Sequence, residues 1–220
     1  MVDPRAAAKE AAGRKAAGYV ADGMRVGLGT GSTVHFTIVA LGERRPDIIC
    51  AATSERTRAL ASDLGLKVVP PDELLTLDVA IDGADEVDAR FNLIKGGGGA
   101  HLREKIIAGM ARRFIVVVDE AKMVETLGAF PLPLEVLPFA PAVVAEQVRA
   151  LGARSVTTRG ARSDNGNLLM DAAFERIADP AGLAARLAAI PGLIEHGLFL
   201  ADMVERVVVA GADGVRELTR

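Results

Sequence analysis

The stretch Phe114-Ile-Val-Val-Val-Asp119 decides the reading of the fold. Every residue before the acid is aromatic or β-branched, and no polar residue alternates with them. A strand with one wet face alternates apolar and polar positions, whereas an uninterrupted apolar run suits a strand covered on both faces. Working outward, residues 101–112 read as a helix, preceded by the glycine run 96–99. Further back, Asp78–Asp82, Leu66–Val69, Ile48–Ala52 and Met24–Leu28 read as strands. Helices are expected over 5–21, 33–42 and 53–64, with Asp22-Gly23 and Gly65 as punctuation. Apolar strands alternating with helices predict an α/β fold with a mainly parallel sheet.

The character changes at Phe130. The segment FPLPLEVLPFAP, residues 130–141, holds four prolines in twelve residues, which suits a boundary. Beyond it the pattern predicts strand 133–138, helix 141–151, strands 154–159 and 166–174, helix 179–189 and strand 193–200. That order, βαββαβ, is the ferredoxin-like α+β arrangement. A strand over Arg206–Ala210 and a short helix over Gly214–Thr219 are expected to rejoin the first sheet. The division is therefore 1–129 with 204–220 for the α/β domain, and 130–203 for the inserted ferredoxin-like one.

Composition narrows the partners. The chain has 220 residues, 50% hydrophobic and 25% charged, enough for a core without disulfide or metal staples. A net charge of -3 gives no basic excess for nucleic acid. No run approaches the roughly 20 apolar residues of a membrane helix, and the charged, Ala-rich start does not read as a signal peptide. Cys50 stands alone, so no internal disulfide or paired-cysteine zinc site is expected, and a reducing, cytoplasmic setting fits. With no Trp and one Tyr, aromatic stacking platforms are not expected.

Four clusters carry candidate chemistry. In GLGTGST, residues 27–33, the glycines let backbone N–H groups approach an anion, and the following helix start adds donors and a favourable dipole. Thr30, Gly31, Ser32 and Thr33 are its candidate contacts; the plain alternative is a tight strand-to-helix turn. The dinucleotide fingerprint fails because Ser32 stands at its last glycine, and no Gly-Lys-Ser/Thr follows for a Walker A loop. In DGADEVD, residues 82–88, Asp82 and Asp85 follow a parallel strand, where open α/β sheets bind ligands. Glu86 and Asp88 are expected to be solvated. In KGGGGAHLREK, residues 95–105, four successive glycines cost folding entropy and call for a reason. Lys95 and Glu104 flank that run as cation and carboxylate; the plain alternative for Glu104 is a helix-start residue complementing the dipole. Lys122, after the strand FIVVVD, falls in a loop that suits a phosphate or carboxylate. The three histidines show no metal-ligand spacing.

GLGTGST, DGADEVD, KGGGGAHLREKIIA, DEAKMVETLG, FPLPLEV, SDNGN and IPGLIEHGLF together resemble the ribose-5-phosphate isomerase family of the A type, over essentially the whole chain. The resemblance implies a Rossmann-like domain with a ferredoxin-like insert, as the periodicity predicts independently. It implies interconversion of D-ribose 5-phosphate and D-ribulose 5-phosphate in the pentose phosphate pathway, no metal or cofactor, and a homodimer or homotetramer. Carried over residue by residue, it makes Glu104 the general base. It makes Thr30, Gly31, Ser32, Thr33, Asp82, Gly83, Ala84, Asp85, Lys95, Gly96, Gly97, Gly98 and Lys122 the substrate-binding positions. Either Lys95 or Lys122 meets the phosphate. This chain departs from the family pattern at GGGGA, at His101-Leu102 and at TSERTR, 53–58.

The chemistry explains the residue types. Aldose–ketose isomerisation moves a proton between neighbouring carbons through an enediolate, which one carboxylate lying over both carbons can do. The growing oxyanion calls for a cation or N–H donors. The alternative in a different class is a sugar-phosphate sensor without catalysis, which would keep the Gly/Thr loop but need no Glu104. A nicotinamide oxidoreductase meets the broken fingerprint, and a CoA-transferase-like enzyme would use a glutamate as nucleophile.

Overall fold

The computed structural model describes residues 4–220. In chain order the first elements are α1 (Pro4–Ala17), β1 (Arg25–Leu28), α2 (Ser32–Arg44), β2 (Ile49–Ala52), α3 (Glu55–Asp63), β3 (Lys67–Val68) and β4 (Val79–Asp82). Next come β5 (Glu86–Asp88), β6 (Leu93–Ile94), α4 (His101–Met110), β7 (Phe114–Asp119), β8 (Met123–Val124) and β9 (Leu132–Val136). The chain ends with α5 (Pro141–Ala150), β10 (Ser155–Arg162), β11 (Leu168–Ala173), α6 (Pro180–Ala188), β12 (Leu193–His196), β13 (Leu198–Phe199), β14 (Arg206–Gly211) and β15 (Gly214–Thr219). These form two compact units. One comprises the residues up to Gly83 with Arg103–Lys122 and Asp202–Arg220, the other Ala84–Leu102 with Met123–Ala201. Residues 84–102 and 123–129, expected with the Rossmann-like domain, thus pack with the second unit.

The first unit is a seven-stranded sheet in the order β3-β2-β1-β4-β7-β14-β15. All neighbours are parallel except β15, which runs antiparallel to β14. All six residues of FIVVVD are buried, as an interior strand requires. Val26, Ile81, Ile115 and Val117 share a core with Ala12 and Ala16 of α1 and Val34, Ile38 and Leu41 of α2. Burying a side chain such as Ile115 contributes about 1.5–3 kcal/mol. Ile107 of α4 closes so tightly on β1 that a Cβ on Gly27 would lie 2.5 Å from it. The chain builds outward from β1 through β2 to β3, then returns to lay β4, β7 and β14 on the other side. The order reverses between β1 and β4, the place where open α/β sheets bind ligands beyond the carboxyl ends of their strands.

Cys50 lies in β2 with 0% exposure, and burial raises its thiol pKa to about 12. Because the thiolate is the reactive form, alkylation of the native protein near about pH 8 is expected to wait for unfolding. Labelling as fast as that of a free thiol would contradict the burial.

In the second unit β9-α5-β10-β11-α6-β12 gives a four-stranded antiparallel sheet in the order β10-β11-β9-β12. That is the ferredoxin-like topology expected over the C-terminal half. A second small sheet, β13-β6-β5-β8, has strands of two or three residues and no counterpart in the sequence reading. Two corrections follow. The strand expected over 193–200 breaks after His196, and Leu198–Phe199 pairs with β6. The helix expected over Gly214–Thr219 is β15, paired with β14 from Gly211↔Gly214 to Arg206↔Thr219.

Candidate active site

Three predicted segments follow the carboxyl ends of adjacent parallel strands in the first unit: Gly29–Thr33 after β1, Gly83 after β4, and Glu120–Lys122 after β7. Asp82 ends β4 and is 3% exposed. Its Oδ1 accepts from the N–H of Thr30 at 3.1 Å and of Gly83 at 2.7 Å, so one carboxylate oxygen ties the first two motifs together. Gly29 is required by this approach, because a Cβ there would stand 2.1 Å from Asp82 Oδ1.

The helix after the loop starts with N-cap Gly31, with no side-chain cap and no acidic residue in its first turn. That leaves its first N–H groups and the positive dipole end to an anion. A cavity of about 350 Å³ abuts them, lined among others by Gly31, Ser32, His35 and Arg56. Ser32 is exposed and Thr33 buried. Thr30 is placed differently from the sequence reading. Its hydroxyl donates to Ser54 Oγ at 2.7 Å and lies 2.8 and 2.9 Å from the hydroxyls of Thr53 and Thr57. Thr57 in turn donates to the carbonyl of Gly29 at 2.9 Å. The segment TSERT therefore braces the loop from behind, and the Thr30 hydroxyl belongs to that brace.

In the second unit Asp85 meets the glycine run. Its Oδ2 accepts from Gly97 N–H at 2.7 Å, and a Cβ on Gly97 would lie 2.7 Å from Oδ1. Gly96 has φ 104° and turns under His101, where a Cβ would lie 2.6 Å from Nδ1. The N–H of Gly99 closes the turn on Gly96 O at 2.9 Å. Gly97 and Gly98 are exposed. Lys95 is only 2% exposed, with Nζ 5.4 Å from the centre of the Phe199 ring. Ala84 follows Gly83 where the chain enters this unit. Glu104 is in the first turn of α4, two residues after the chain returns to the first unit, and is 4% exposed. Lys122 closes the 3-10 turn Glu120–Lys122 and is half-buried.

Glu86 and Asp88 are not solvated. Glu86, 3% exposed, accepts from the N–H groups of Gly128 and Phe130. Asp88, 7% exposed, accepts from the N–H groups of Arg90 and Asn92 and closes the β5–β6 hairpin. Both carboxylates are structural, their burial offset by main-chain donors. Among the described residues no group of three His, Cys, Asp or Glu is placed to hold a metal ion, and no helix is long and apolar enough to cross a membrane.

The sequence reading missed the Thr53-Ser54-Thr57 brace, although Ser54 as an N-cap accepting from Thr57 N–H carries a capping signature. It also missed Arg159, which reaches the glycine run from β10 and has no local signal.

Comparison with known proteins accounts for this arrangement. A sequence model of the family described as ribose 5-phosphate isomerase A (phosphoriboisomerase A) matches residues 49–214. The ribose-5-phosphate isomerase A of Thermomicrobium roseum is 50% identical over 223 aligned positions, covering 97% of this chain and 94% of the relative. That of Sphingopyxis alaskensis is 47% identical, covering 95% and 94%. Among solved structures, a ribose 5-phosphate isomerase A from Neisseria gonorrhoeae matches with a TM-score of 0.95 at 34% identity, covering 98% and 97%. A D-ribose-5-phosphate isomerase in complex with phospho-erythronic acid matches at 0.93 and 39%, covering 97% and 98%. Relatives this similar over nearly the whole chain make the protein an enzyme, an aldose–ketose isomerase, and set aside the non-catalytic sensor. Within that class it belongs to the ribose 5-phosphate isomerase A family.

Proposed function

We propose that this isomerase interconverts D-ribose 5-phosphate and D-ribulose 5-phosphate in the non-oxidative branch of the pentose phosphate pathway, with Glu104 as the proton-moving base. The observation that carries the assignment is the burial of Glu104, 4% exposed in the first turn of α4 and directly downstream of the glycine run. A glutamate serving only the helix dipole has no need to leave water. The carboxylate takes the proton from C2 of the open-chain aldose, and the bonding pair moves into an enediolate. The same carboxylic acid returns the proton to C1 while the hydroxyl proton on O2 passes to O1, which gives the ketose. Negative charge grows on the substrate oxygen, and Lys95 with the N–H groups of 96–98 supplies the stabilising field. Asp82 and Asp85 position hydroxyls and assist ring opening. The Gly31–Thr33 helix start, or Lys122, holds the phosphate as a handle remote from the chemistry. The phospho-erythronic acid bound in the related structure supports this reading: it combines a phosphate with a sugar acid.

We assign the protein to the cytoplasm as a homodimer or homotetramer; its kinship and its solitary cysteine, Cys50, support this reading. The direct test is ribose 5-phosphate with no added cofactor, followed by ketose absorbance. Ketose formation at enzymic rates is expected, and its absence from folded protein would refute the substrate. No metal takes part in this scheme, so exhaustive chelation is expected to leave turnover unchanged. Loss of activity restored by magnesium would reassign Asp82 and Asp85 as ligands. Ser32→Ala is expected to weaken inhibition by inorganic phosphate about tenfold or more, from the roughly 1.5–3 kcal/mol of a hydrogen bond to a charged group. Equal inhibition of variant and parent would move the phosphate elsewhere.

A further inference from the structure

We propose that Arg159, held by Asp171, is a positioning residue for the isomerisation: it fixes the peptide groups of the glycine turn and so aims the N–H of Gly98 as an oxyanion donor. The proposal rests on the reading above that this turn belongs to the reaction site. Arg159 lies in β10 and uses both edges of its guanidinium. Nε and Nη2 donate to the two oxygens of Asp171 in β11, at 2.8 and 2.6 Å. Nη1 donates to the carbonyls of Gly96 and Gly97, at 3.0 and 3.1 Å, across 63 and 62 residues of chain. The ion pair is largely shielded, with side-chain exposures of 19% and 26%.

An ion pair serving the surface alone contributes little and needs no such reach. Here the planar fork is oriented by one bidentate partner and spends its remaining N–H bonds on two successive main-chain carbonyls. Four glycines in a row leave the peptide planes of this turn weakly specified, because glycine tolerates most dihedral angles. In a planar trans peptide the C=O and the following N–H point in opposite directions. Pinning Gly96 O therefore fixes the N–H of Gly97, which donates to Asp85 Oδ2 at 2.7 Å. Pinning Gly97 O fixes the N–H of Gly98 on the side away from Arg159. A cation on the carbonyl also polarises the peptide and strengthens its N–H as a donor. A donor fixed before the oxyanion forms costs no reorganisation when it forms. Arg159 acts through the turn, without touching the reacting atoms.

The test is steady-state kinetics and inhibitor binding on the full chain, comparing Arg159→Met, Asp171→Asn and Glu104→Gln with the parent. Arg159→Met keeps the aliphatic stem and is expected to lower kcat about 10- to 100-fold with KM within about threefold. Affinity for phospho-erythronic acid, read as an enediolate mimic, falls alongside kcat. Asp171→Asn gives a smaller loss in the same pattern, and decides the matter if Arg159→Met does not fold. A kcat within about twofold of the parent in the folded variants overturns the proposal. So does a loss no larger than the loss of folded protein. If Glu104→Gln turns over normally, the site reading itself fails; if only Glu104→Gln is impaired, the positioning role alone fails.

Discussion

Glu104→Gln is expected to lower turnover about 10²–10⁴-fold or more, with KM little altered. Glutamine keeps the shape and the hydrogen-bonding reach of the side chain but cannot accept a proton from carbon. Burial sharpens the contrast with the structural alternative, because Glu104 is 4% exposed at a helix start. A residue there only to complement the dipole would cost a few tenths to about 1 kcal/mol of stability when neutralised, and the enzyme would still work. The two accounts therefore differ in which quantity moves, turnover or thermal midpoint. Near-normal turnover by folded Glu104→Gln would pass the role of base to Asp82 or Asp85.

Lys95→Met is expected to lower kcat about 10²–10³-fold, the range seen when a preorganised oxyanion stabiliser is removed. Methionine nearly matches the volume of this 2%-exposed side chain, and its thioether sits well on the Phe199 ring that Lys95 Nζ now faces at 5.4 Å. The variant therefore removes the cation while keeping the packing. A lysine buried only for that ring contact would leave turnover intact when replaced, and parent-like kcat in Lys95→Met would give the electrostatic role to the N–H groups of 96–98.

Much of the fold was legible because its signals are local. FIVVVD announces a strand covered on both faces, and Gly23, Gly65, Pro131 and Pro138 fall between elements. The βαββαβ order beyond Phe130 was readable from the same alternation, and it gives the β10-β11-β9-β12 sheet. The errors lie where local chemistry and long-range pairing disagree. GVRELT contains good helix formers, yet it becomes β15 because β14 offers an open strand edge for pairing from Gly211↔Gly214 onward. Asp213-Gly214 was the available hairpin signal. The β13-β6-β5-β8 sheet was invisible, since strands of two or three residues carry no periodicity.

At the candidate site, the motifs name residues but not their partners. DGADEVD reads as one acidic turn, whereas Asp82, Asp85, Glu86 and Asp88 have separate tasks. Glu86 is buried because Gly128 and Phe130, 42 and 44 residues away, bring it their N–H groups. SDNGN is a similar case. Ser163, Asn165 and Asn167 all donate to Glu135 Oε1, at 2.7, 3.0 and 2.8 Å, so that motif serves a buried carboxylate in β9. Arg159 had no signal, because its partners at Gly96 and Gly97 are main-chain atoms with no side chain to mark them.

The central claim, that one carboxylate at position 104 carries the proton between the two carbons, is tested most directly by solvent exchange. Ribose 5-phosphate is incubated in deuterium oxide with the parent or with Glu104→Gln, and deuterium at C1 of the ketose and C2 of the recovered aldose is followed by NMR. The account predicts incorporation with the parent and none above the uncatalysed background with the variant. Deuterium entering at the parent's rate with folded Glu104→Gln would contradict it.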